Sequence, residues 1–120
     1  MIYVGDLGTD GIIIHVGGAT YESDSLSLVA MDSVRVFDVS FLNDTSAGGD
    51  GWFKQDIYDT VPDSRVDFCL ALTTAPDKTS TNIWMYGGWN PNTGLSYDEI
   101  WVLSLPSFTW NLVSSLLCLC

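Results

Sequence analysis

The stretch 82–90, "NIWMYGGWN", sets five large apolar side chains around a pair of adjacent glycines. In an extended chain Ile83 and Met85 fall on one face and Trp84 and Tyr86 on the other, so neither face is charged. A strand of that composition implies cover on both sides. Two glycines closing the run suit a place where the backbone turns to positive φ, or where neighbouring backbone comes too near for a side chain.

The arrangement occurs twice. "GIIIHVGG" (11–18) also ends in Gly-Gly, and each pair is followed by a second strand, "VRVFDV" (34–39) and "IWVLSL" (100–105). A tryptophan-bearing segment comes next, "GWFKQD" (51–56) and "TWNLV" (109–113). The spacing is 70 from Gly17 to Gly87, 66 from Val34 to Ile100 and 58 from Trp52 to Trp110. The first unit therefore carries four extra residues after its glycines and eight before its tryptophan, the latter in the Gly/Asp/Ser-rich loop "FLNDTSAGGDG" (41–51). "YDTVPDSR" (58–65) reads as a turn, "VDFCLALTT" (66–74) as the opening strand of the second unit, and "MIYV" (1–4) as the remnant of the corresponding strand in the first. No window shows an apolar stripe at helical spacing. The expected fold class is all-β, with two four-stranded antiparallel units at 1–57, its opening strand truncated, and 58–113; the apolar tail 114–120 stands outside both.

Two units with paired glycines and a later tryptophan follow the kelch pattern of a β-propeller, whose period is about 50 residues before insertions. The segment from Pro62 to Trp110, with "PDSRVDFCLALTTAPDKTSTNIWMYGGWN" and "YDEIWVLSLPSFTW", resembles fungal kelch-repeat proteins with a galactose-oxidase-like central domain. The resemblance extends over roughly 1–113. It implies that Gly17, Gly18, Gly87 and Gly88 end blade strands, that Trp52 and Trp110 are the repeat tryptophans, and that Pro62 and Arg65 open a repeat. These positions determine architecture rather than chemistry. It further implies a secreted or cell-surface location for a full-length parent, although no signal peptide or membrane anchor is legible in these residues.

Charge and composition narrow the function. Acidic side chains outnumber basic ones 15 to 4, for a net charge of -11. Nucleic acid is excluded as a partner, because phosphate binding needs clustered Lys and Arg. No apolar run is long enough to span a membrane as a helix. A copper-radical site of the galactose-oxidase kind needs two histidine ligands, and His15 is the sole histidine. His15 and Cys69 lie in apolar strands, where a packed, hydrogen-bonded imidazole and a buried free thiol are expected. Cys118 and Cys120 fit neither a CxxC pair nor a zinc knuckle. The segment 43–51 has the wrong spacing for an EF-hand loop and reads as a solvated insertion, with a looser calcium loop as the alternative, so no metal, cofactor or catalytic residue is assigned. Asn43-Asp44-Thr45 is a glycosylation triplet, relevant in a secreted chain.

Propeller geometry places the loops at 19–32, 57–64 and 89–98 on one end. Trp89, Asn90, Asn92 and Tyr97 concentrate aromatic and amide groups there, with Tyr21 and Tyr58 beside them and Arg65 either paired to Asp63 or Asp67 or facing an anionic partner. The expected function is a non-catalytic module that binds a protein, or a surface glycan, through its loop faces. The alternatives are part of an oxidase-like propeller whose catalytic residues lie in other blades, and a truncated product without independent function. Two blades leave sheet faces uncovered, so further blades or self-association are expected.

Overall fold

The computed structural model describes residues 1–44 and 48–115; Thr45, Cys118 and Cys120 fall outside them. The chain is all-β and antiparallel. The first sheet has the order β1-β2-β5-β6, from β1 (Ile2–Val4), β2 (Ile12–His15), β5 (Ser33–Asp38) and β6 (Trp52–Asp56). The second has the order β11-β10-β8-β7, from β7 (Val66–Thr74), β8 (Thr81–Asn90), β10 (Glu99–Leu105) and β11 (Thr109–Ser115), with the two-residue β9 (Leu95–Ser96) added to the end of β8. Neither closes on itself, which is consistent with incomplete kelch-type blades. A short 3-10 helix, Val39–Asn43, opens the long loop before β6; the Asp38 carboxylate caps it by accepting from the Ser40 amide at 3.0 Å.

The sheets have matching registers. Ile13 lies opposite Phe37 and Phe37 opposite Trp52; in the second sheet Ile83 lies opposite Leu103 and Leu103 opposite Trp110. The spacings of 70, 66 and 58 read from the sequence convert the first row into the second. The glycine pairs match as well. All four have positive φ: Gly17 56°, Gly18 97°, Gly87 74° and Gly88 92°. The second carbonyl of each pair then closes the following connection, Gly18 accepting from the Val29 amide and Gly88 from the Tyr97 amide, both at 2.9 Å.

Burial, in contrast, is inverted between them. Directly opposite residues of antiparallel strands share a face. Ile12, Ile14, Val34 and Val36 of the first sheet are buried, yet the buried hydrophobic side chains of β8 are Ile83 and Met85, the counterparts of Ile13 and His15. The sheets stack through opposite faces, and one core joins Val4, Ile14 and Val36 to Ile83, Met85 and Leu103. Each sheet has one stacked neighbour among the described residues, so one face of each is uncovered, as two blades imply. The same parity corrects two expectations. Cys69 is exposed, opposite Tyr86 on the outer face of the second sheet. His15 is half-buried on the outer face of the first, and its imidazole makes no hydrogen bond among the described residues. The tryptophans divide in the same way. Trp110 is buried between the sheets and donates its indole N–H to the Met31 carbonyl at 3.2 Å, whereas Trp52 faces outward against Phe37, ring centroids 5.3 Å apart.

The glycines differ in the room around them. A Cβ on Gly88 would stand 2.8 Å from the Val66 carbonyl oxygen and 3.1 Å from Phe68 Cβ, whereas a Cβ on Gly18 meets only His15 Nε2 at 4.0 Å. Both substitutions put an L-residue at positive φ, at about 1–2 kcal/mol; only Gly88→Ala also drives a side chain into backbone. Gly88→Ala is expected to lower stability by about 2–4 kcal/mol and Gly18→Ala by about 1 kcal/mol, compared by urea midpoints. Equal shifts would show that close approach is irrelevant to this motif.

Candidate functional site

Antiparallel order sends the connections after both glycine pairs, and the link 57–65 between the sheets, to one end of the molecule. The segment 19–32 is more ordered than a loop: β3 (Ala19–Glu22) and β4 (Ser25–Leu28) form a separate hairpin, turned at Ser23 and Asp24 with φ of 49° and 62°. Every residue of β3 is exposed, and Tyr21 stands out with 75% of its surface accessible. In the second sheet β8 runs on through Trp89 and Asn90, which pair with Ser96 and Leu95 across a turn at 91–94. Asn90 holds that turn: its side-chain oxygen accepts from the Asn92 amide at 2.9 Å, and its carbonyl from the Gly94 amide at 2.8 Å.

The candidate residues divide into two groups. Trp89, Asn92 and Tyr21 are exposed, as is Tyr58 on the adjoining link. Trp89 is held in place by donating its indole N–H to Asp67 at 2.7 Å. Arg65 and Tyr97 turn inward instead. Arg65 is fully buried, and its guanidinium carbon lies 3.8 Å from the centre of the Tyr97 ring. It donates to the Asp63 carbonyl at 3.0 Å, the Gly87 carbonyl at 3.3 Å and the Glu99 carboxylate at 3.2 Å. The ion pair therefore runs to Glu99, not to the side chain of Asp63 or Asp67. Glu99 also accepts the Trp101 indole N–H at 2.6 Å. The arginine clamps the end of the second sheet from inside and fixes the backbone from which Trp89 and Asn92 project. Asn43 is exposed at the end of the 3-10 helix, away from this group in sequence and element.

A second concentration of polar groups lies on the outer face of the first sheet. His15, Arg35 and Lys54 are directly opposite one another across β2, β5 and β6, with Trp52 next to Arg35 at 6.0 Å from ring centre to guanidinium. A cavity of about 370 Å³ opens there between the row and the base of the β3-β4 hairpin at Thr20 and Val29. Burial first, then the positive charges of the N-terminal ammonium and Arg35, lower the His15 pKa below the usual 6.5. A groove of about 510 Å³ between Asp59 and Trp110 offers less, because the Trp101 and Trp110 rings that line it are buried and their N–H groups are already bonded.

Among the described residues no three His, Cys, Asp or Glu side chains are grouped to hold a metal ion, and no helix is long and apolar enough to cross a membrane. Sequence reading found the loop residues but missed Glu99, the bond from Trp89 to Asp67, and the basic row. Glu99 is 34 positions from Arg65, and the row appears only once strand register is known.

Comparison with known proteins agrees with this geometry. The chain is 30% identical over 113 residues to a kelch repeat-containing protein of Arthroderma benhamiae, an alignment covering 92% of this chain. The chain spans 15% of that relative's length. No protein-family model and no solved structure matches it.

Proposed function

We propose that the chain, which is similar over 92% of its length to a kelch repeat-containing protein, is a non-catalytic interaction module, built of repeat units 1–57 and 58–113, that binds a partner protein with the end carrying the β3-β4 hairpin and the β8-β9 turn. The observation that carries this reading is the equivalence of the two glycine pairs. Each turns the chain at positive φ, closes a connection on its second carbonyl, and delivers an exposed aromatic residue, Tyr21 or Trp89, at the same end. Aromatic side chains on a rigid base give large contact area at small entropic cost, and the Asn92 amide adds hydrogen bonding. A protein is favoured over a glycan because the exposed rings stand on separate projections rather than forming one stacking platform.

A photo-crosslinking residue at Asn92 tests this, against the same residue at Pro76, in the turn at the opposite end. In extract of the source cells, the probe at 92 is expected to capture a discrete protein and the probe at 76 is not. Trp89→Ala and Tyr21→Ser together are expected to cut the yield by about tenfold or more. Equal labelling from both ends, or saturable binding to a glycan array in place of a protein, overturns the reading.

A further inference from the structure

We infer that the row His15–Arg35–Lys54 is a carboxylate-binding site, and that it takes an acidic side chain of a polypeptide segment lying beneath the β3-β4 hairpin. The chain has 4 Lys and Arg against 15 Asp and Glu, yet two of the four, with the sole histidine, stand side by side on one face. Cations directly opposite one another across antiparallel strands repel. Nothing within the described residues relieves this for Arg35, whose side chain makes no hydrogen bond or ion pair among them and has the Trp52 ring as its one favourable contact. Lys54 pairs with Asp56 at 3.2 Å, but both side chains are more than half exposed, and such a pair is weak. The contrast with Arg65 is direct: that guanidinium has three internal acceptors, while the guanidinium of Arg35, beside the Trp52 ring in the wall of a cavity, has none among the described residues.

The chemistry of the wall selects the ligand. A planar guanidinium fork matches a planar carboxylate through two parallel hydrogen bonds. Ser33 and Thr20 add hydroxyl groups, and Val29 and the adjoining Trp52 ring give apolar contact beside the charge, so an acidic residue next to an aromatic or aliphatic one suits the cavity. The overall charge of -11 sets an upper limit on ligand charge. It repels a polyanion such as nucleic acid, but its reach is limited to about 8–10 Å in physiological salt, within which the local cations dominate for a lightly charged segment. This inference rests on the interaction-module reading only in making the carboxylate part of a protein.

The test is an NMR titration of the full chain, observing the Arg35 Nε–H and His15 imidazole signals. The probes are the peptide acetyl-Gly-Phe-Glu-Gly-amide, its Gln counterpart and inorganic phosphate. The Glu peptide is expected to shift both signals saturably, with the Gln peptide weaker by about tenfold, the factor of one charge-assisted contact. Arg35→Gln and Lys54→Gln alter exposed side chains and leave the fold intact, as circular dichroism will check; each is expected to weaken the Glu peptide by about fivefold or more. Four results overturn the inference: equal binding of the Glu and Gln peptides, shifts confined to other residues, no effect of Arg35→Gln, or phosphate binding more tightly than the Glu peptide. A fifth is concentration-dependent broadening of this face without peptide, which would assign it to a second copy of the chain. Crosslinking from Asn92 is independent of all these signals, so failure at the basic row and failure of the module reading are told apart.

Discussion

Arg65→Ala is expected to destabilise the protein by about 3–5 kcal/mol, a large share of the roughly 5–15 kcal/mol available to a domain. The guanidinium is fully buried and serves four partners at once: the Asp63 and Gly87 carbonyls, the Glu99 carboxylate and the Tyr97 ring. Its removal takes a hydrogen bond from the carbonyl of Gly87, which is itself at positive φ. It also leaves Glu99 with the Trp101 indole as its remaining donor. Glu99 is about a quarter exposed, so water recovers part of the loss and the effect belongs near the lower end of the range. Arg65→Lys is expected to rescue little, because an ammonium cannot lie flat on Tyr97 while donating in three directions. Glu99→Gln keeps an acceptor for Trp101 and Arg65 and is expected to cost less, about 1–2 kcal/mol. Urea unfolding reads all three. A wild-type midpoint for Arg65→Lys would mean that a point charge suffices and that the planar clamp is not what holds this end.

The same arginine shows how far the sequence could be read. Its place was legible, since "PDSR" precedes a strand and follows a turn, but its partner was not. Asp63 and Asp67 are close in sequence, and Glu99 becomes a neighbour only when β10 pairs with β8. Equivalence between the two units was legible in detail, because the offsets of 70, 66 and 58 translate the Ile13–Phe37–Trp52 row into Ile83–Leu103–Trp110. The face that each sheet buries was not legible. "IIIH" and "IWMY" are apolar on both sides, so alternation carries no information, and stacking through opposite faces decides that Ile14 and Met85 are buried while His15 and Trp84 are not. The hairpin within 19–32 was hidden for a different reason. Its turn uses Ser23 and Asp24 at positive φ, where the sequence signal for such a turn is Asn-Gly or Asp-Gly. At the site, exposure of Trp89, Asn92 and Tyr21 follows from their projections, whereas the basic row needs three registered strands to exist at all.

Inverted burial makes a sharper prediction than either sheet does alone. Ile13 and Ile14 are adjacent, chemically identical and in the same strand, yet Ile14 is fully buried between the sheets and Ile13 lies half-buried on the outer face. Ile14→Ala is expected to lower stability by about 3–4 kcal/mol and Ile13→Ala by about 1 kcal/mol, because only the first opens a cavity with close-packed walls. In the second sheet the dependence reverses. Ile83, the counterpart of Ile13, is fully buried and is expected to cost as much as Ile14 when cut to alanine. The core that contains Ile14 also contains Trp101, Leu103 and Trp110, so damage to the first sheet should be felt in the second. The indole N–H of Trp110, bonded to the Met31 carbonyl, reports on that contact directly. In Ile14→Ala its NMR signal is expected to disappear at the same lowered urea concentration as the signals of the first sheet, since the two sheets share one core and unfold as one unit. A Trp110 signal that kept its wild-type midpoint while the first sheet unfolded early would show that each sheet stands by itself, and the stacked core would then contribute nothing to cooperativity.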